Sequence, residues 1–195
     1  DITMTATLGS IIELNDQFDY PGITSRLADD DTDVTGDLLT LTAAGDIGGI
    51  GELDIETNVT TLIADSTVDG DIYLTELDGA GNGINLQSVD TNNGKITLIT
   101  NGSGHEPEKE TLVTYVISDS GVSDVYSDIS ITADTGDMTI EYVESDDDIT
   151  LIANAGSITE INRATNPAEA DVDIKSNDTT AGKLTMTARD EIGDS

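Results

Sequence analysis

The feature that most constrains this chain is a phrase it keeps repeating. DITMTATLGSI at Asp1–Ile11 returns as DLLTLTAAGDI at Asp37–Ile47, DISITADTGDM at Asp128–Met138 and DITLIANAGSI at Asp148–Ile158. A worn copy, KLTMTARDEI, occupies Lys183–Ile192. Large apolar side chains alternate with Thr or other small residues, Ala follows, then a short turn and another apolar residue. That order reads as one strand, one tight corner and the start of the next strand. A unit this small cannot bury its apolar face alone, so copies of it have to stack on one another.

A longer repeat contains the phrase. Asp1–Asn15 laid on Asp148–Asn162 gives 9 identities in 15, and both copies then run through a polar stretch into GDLLTLTAAGDIG and GKLTMTARDEIG. The chain is therefore expected to be one continuous solenoid segment, residues 1–195, of a longer repetitive protein. It holds one long repeat of about 146 residues (1–147) and the start of the next (148–195). Within the long repeat, apolar alternations begin near Leu38, Ile72, Ile84, Ile96, Ile129, Met138, Ile149, Val172 and Leu184. Two or three short strands per turn predict coils of roughly 20–25 residues.

The alternation has period two: Ile72/Leu74, Ile96/Leu98, Ile129/Ile131/Ala133, Ile149/Leu151/Ala153. Thr, Ser, Asn and Tyr fill most intervening positions, as on a strand with one dry and one wet face. The nearest helical candidate, NRATNPAEADV (162–172), contains Pro167 and reads as a loop. Longer loops are expected at 15–36, 101–111 and 162–182, the first and third at equivalent places in successive long repeats. Scaffolds of this kind carry recognition on such loops.

Composition fits a thin aliphatic core. Only 3% of residues are aromatic, and of the 40 acidic residues 28 are Asp. Asp competes with the backbone for hydrogen bonds and settles in turns and caps, whereas Glu favours helix. A formal charge of −33 argues against nucleic acid and anionic membrane surfaces as partners. It also keeps a long polymer soluble and attracts divalent cations. The absence of Cys excludes a disulfide scaffold and thiolate metal sites. No apolar run approaches the roughly 18 residues of a membrane-spanning helix.

GDIGGIGELDIETNVTTLIADSTVDGDIYLTELDG (45–79) carries a family resemblance. Its Gly45–Gly48 corner, Thr61–Ala64 strand and Gly70–Leu74 strand resemble the degenerate repeats of large bacterial surface proteins of the filamentous-haemagglutinin, adhesin type. The resemblance implies a right-handed parallel β-helix, export to the cell surface, and a role in adhesion or as an extracellular coat or fibre.

Chemistry is harder to find. DDDTDVTGD (29–37) offers Asp29, Asp31, Asp33 and Asp37 as candidate metal ligands, and calcium is the cation such acids would take. Measured from Asp31, Gly36 stands at position 6 of a helix-loop-helix calcium loop, but position 12 is Thr42 where the bidentate Glu should be. A hydrated acidic loop explains the run better, and no cofactor is required by the sequence. Ser145–Asp148 (SDDD) reads as corner caps. DGAGNGINL (78–86) has Ile84 where the Gly-Asp nonapeptide repeat needs Asp.

His105 is the sole His, which leaves a Ser-His-Asp arrangement resting on one unanchored residue. SDSG (118–121) is a turn-forming run. Seven basic residues and no Trp poorly suit a polysaccharide-cleaving enzyme. An enzyme is not expected.

The sequence thus leads to an all-β solenoid, secreted or on the cell surface, whose partners are neighbouring repeats, identical subunits end to end, or a host or neighbouring cell surface. The alternatives are a calcium-dependent extracellular binding module of tandem β-sandwiches and a polymerising filament or coat subunit.

Overall fold

Where large apolar residues recur every second position, the chain extends, and it turns inward on the same side each time it passes. The computed structural model describes residues 1–13, 32–50, 54–77, 83–101, 110–119, 127–161, 174–177 and 182–193. These form fifteen strands. In chain order they are β1 (Ile2–Ala6), β2 (Val34–Ala43), β3 (Ile55–Ser66), β4 (Ile72–Leu77), β5 (Ile84–Thr91), β6 (Ile96–Asn101), β7 (Thr111–Val113) and β8 (Val116–Ser118). Then come β9 (Ile129–Thr135), β10 (Met138–Ile140), β11 (Val143–Ser145), β12 (Ile149–Ala153), β13 (Ile158–Glu160), β14 (Ile174–Ser176) and β15 (Leu184–Ala188). Among the described residues every strand pair is parallel, and there is no helix.

The pairing defines three faces. On the first, β4, β6, β9, β12 and β15 lie side by side in that order. On the second, β5 is followed by β7, β10 and β13. On the third, the later half of β5 is followed by β8, β11 and β14. At the front, β3 spans a bend: its start pairs with β4 on the first face and its end with β5. The chain is a parallel β-helix. Tandem β-sandwiches, whose strands pair antiparallel, do not describe it.

Where nothing interrupts, a coil is short: Leu39 pairs with Leu62, Ile72 with Ile96 and Ile129 with Ile149. These steps of 20 to 24 residues match the expected coil. Between Ile96 and Ile129 the step lengthens to 33 residues, and between Ile149 and Leu184 to 35. The longer steps contain the residues 102–109 and 120–126, and 162–173 and 178–181, which lie outside the described residues. Parallel register nevertheless survives. β6 and β9 stay aligned from Ile96↔Ile129 to Thr100↔Ala133 and slip only at Asn101, next to residues 102–109.

The core is a set of stacked ladders. Ile72, Ile96, Ile129 and Ile149 sit one above another, all fully buried, with Leu74, Leu98, Ile131 and Leu151 beside them. Burying each such side chain contributes roughly 1.5–3 kcal/mol. Identical shapes repeated at strand spacing pack without large rings, which is why so few aromatics suffice. Two tyrosines do stack, Tyr115 on Tyr142, with centroids 5.6 Å apart and rings 17° from parallel.

The corners are held by polar side chains that reach from one coil to the next. Asp46 Oδ1 accepts the Asp71 N–H at 2.9 Å, and Asp71 Oδ1 accepts the Lys95 N–H at 2.7 Å. Asp137 does the same for Ser157, and Asp148 for Lys183, both at 2.7 Å. On the third face, the buried Ser66, Thr91, Ser118 and Ser145 and the exposed Ser176 form a hydroxyl ladder. Their hydroxyls donate to the carbonyls of Gly45, Gly70, Gly94, Ser127 and Asp147 respectively. Each bond satisfies a corner carbonyl that strand pairing leaves over.

The repeated phrase is used at two different corners. Its copies at Asp1 and Asp37 place their strands, β1 and the end of β2, on the third face before the turn to the first. Its copies at Asp128, Asp148 and Lys183 lie on the first face before the turn to the second. The phrase encodes a strand and its corner, and both corners have the same chemistry.

Candidate functional site

Of the four Asp residues that the sequence offers as metal ligands, Asp29 and Asp31 lie outside the described residues. Asp37 is exposed on β2, and its carbonyl accepts the Thr60 hydroxyl at 2.7 Å. Asp33 stands just before β2, and its neighbours are two glutamates the sequence reading did not select. One carboxylate oxygen each from Glu13, Asp33 and Glu56 lie within 4.8 Å of one another.

Local structure explains the meeting. Glu13 follows Ile11, whose partner in the next coil is Ile47. Val34 pairs with Thr57, which sets Asp33 beside Glu56. Two backbone-directed bonds fix that contact: the Asp33 N–H donates to the Glu56 carbonyl at 2.9 Å, and the Glu56 N–H donates to Asp33 Oδ2 at 3.0 Å. Glu13 and Asp33 thus flank residues 14–31 in sequence, and Glu56 belongs to the following coil.

Glu56 is only 4% exposed, and its Oε2 is buried without a hydrogen-bond partner. The contrast with Glu76, also buried on a neighbouring strand, is instructive. Glu76 Oε2 accepts the Thr57 hydroxyl at 2.5 Å and its Oε1 accepts the Val59 N–H at 2.9 Å. Glu56 has instead been set among other acids. Burial, then the charge of Asp54, the bond with Asp33 and the charges of Glu13 and Asp33 push its carboxyl up to about 8. Asp54 itself accepts the Thr75 hydroxyl. A buried acid in such company needs a positive partner, either a proton or a cation.

The remaining motifs resolve into scaffold. Ser118 and Ser145 belong to the hydroxyl ladder, and Asp148 caps the Lys183 N–H. His105 lies outside the described residues, as do most of the expected loops at 15–36, 101–111 and 162–182. Lys95 pairs with Asp128 at 2.5 Å and Lys175 with Glu144 at 2.5 Å, both on other coils. Burial raises the Glu144 carboxyl, but bonds from Lys175, Tyr142 and Asn177 outweigh it and hold the group below its ordinary value. Among the described residues no helix is long and apolar enough to cross a membrane.

No protein-family model, curated protein or solved structure matches this chain.

Proposed function

We propose that the chain is a structural and adhesive segment of an exported fibrous protein, a stiff β-helical shaft at the cell surface or outside the cell. The observation that supports this reading is the unbroken series of parallel strand pairs that runs, coil on coil, from β1 through β2, β3, β4, β6, β9 and β12 to β15. Hydrogen bonds between coils lie along the axis, so extension has to pull apart many of them together. A surface of −33 charge keeps such a rod soluble and apart from its neighbours. Under this reading the shaft's partners are adjoining repeats or identical subunits end to end, with a host or neighbouring cell surface met through its loops. It performs no catalysis.

Antibodies raised against the purified chain test the placement. They should label intact cells of the source organism, and brief external protease treatment should strip the label. Labelling that appears only after lysis would overturn the proposal.

A further inference from the structure

We propose that Glu13, Asp33 and Glu56 form a binding site for a hard divalent cation, calcium above all. In that role the ion would fasten the two ends of the 14–31 segment to the coil that follows. The first support is geometric. Three carboxylates from two coils converge so that an oxygen of each lies within 4.8 Å of the others, close to the span across a calcium ion whose ligands stand at about 2.3–2.6 Å. The second support is the buried oxygen: Glu56 Oε2 lacks a donor although the residue is 4% exposed. Its buried neighbour Glu76 shows what this fold does with a carboxylate meant only for structure, which is to supply a hydroxyl and an N–H. At Glu56 the fold supplies further acids.

The donor set selects the ion. Carboxylate oxygens alone favour hard cations over zinc or copper, which prefer nitrogen and sulfur. A partly buried cage strips water from its occupant, and magnesium gives up water reluctantly whereas calcium accepts six to eight flexible oxygen ligands. The proposal does not depend on the surface reading above, because a cation clip would serve a β-helix in any compartment.

Calorimetric titration of the chelator-treated chain with calcium chloride, in about 0.15 M potassium chloride to suppress diffuse binding, tests it directly. One site is expected that survives a several-fold excess of magnesium, together with a calcium-dependent rise in melting temperature. Glu56→Gln preserves shape and removes the charge, and should weaken calcium binding at least tenfold. Asp33→Asn should do likewise, and Asp37→Asn on the exposed side of β2 should leave binding unchanged. Circular dichroism of each variant establishes that it has folded. A folded Glu56→Gln chain that binds calcium like the parent would overturn the site, as would a parent chain that binds none at millimolar calcium. A proton shared between Glu56 and Asp33 would then be the remaining account of the cluster.

Discussion

A methyl group added at Gly94 would stand 2.2 Å from the Gly70 carbonyl oxygen, and one added at Gly70 would stand 2.3 Å from the Gly45 carbonyl carbon. The three glycines stack at one corner in successive coils, where backbone meets backbone. Neither atom can move without shifting a coil, so Gly94→Ala should lower stability by roughly 3 kcal/mol, the range of severe single substitutions. Gly36→Ala is the matched control: its new methyl meets only the Ile2 side chain, at 3.6 Å. That change should be neutral or stabilise by about 0.4–1 kcal/mol through the unfolded chain. Urea denaturation of both variants makes the comparison; equal effects would show that the corner is looser than described. Aspartate also matters residue by residue. The excess of Asp over Glu pointed to turns, and Asp46, Asp71, Asp137 and Asp148 each accept an N–H one coil onward.

Strands, corners and ladders differ in how plainly the sequence announced them. Where two or three inward apolar positions alternate, as in β4, β6, β9 and β12, the element was legible from period two alone. The three-residue strands β7, β8 and β11 have at most two inward positions and leave no periodic trace. The start of β3 hid for another reason: Ile55, Glu56 and Thr57 are all buried in succession, because the strand bends from one face to the next. The same bend concealed the acidic cluster. Asp33 was a candidate by local spacing, but Glu56 joins it only through the Val34↔Thr57 register, which no local motif reports. The hydroxyl ladder was equally silent, since a Ser beside a turn is common everywhere. Its worth is measurable. Ser118→Ala leaves the Gly94 carbonyl without its 2.6 Å bond inside the third face, and should cost about 1–3 kcal/mol. Replacing the exposed Thr60, whose hydroxyl meets the Asp37 carbonyl on the surface, should cost under about 0.5 kcal/mol. Thermal melts of the two variants should rank in that order; the reverse ranking would contradict the ladder's role.

At the scale of the whole molecule, charge opposes the fold and the ladders outweigh it. Self-repulsion among −33 charges should make the melting temperature rise with added salt, and a melt indifferent to salt between about 0.02 and 0.5 M would count against this balance. Protonation acts in the same direction. Burial raises the carboxyls of Glu56, Asp65, Asp90 and Glu110, and neighbouring acids raise Glu56, Asp90 and Glu110 further. The folded chain therefore holds protons more tightly than the unfolded one. That contribution is fully present below the ordinary carboxylate range and is lost as pH climbs through the folded values, for Glu56 from 4.5 towards about 8. In chelator, the melting temperature should be higher at pH 5 than at pH 8, and a rise with pH over that window would contradict the assignment. The central claim is the coil itself, that residues one turn apart stand side by side in parallel register. Thr139 and Thr159 face each other on β10 and β13 with hydroxyls 3.0 Å apart, and the chain contains no other thiol to confuse a cross-link. In the double variant Thr139→Cys, Thr159→Cys, mild oxidation should form an intramolecular disulfide rapidly. The pair Thr139→Cys, Thr150→Cys, placed on different faces, should stay reduced under the same conditions. Failure of the first pair to close, or equal closure of both, would contradict the parallel β-helix.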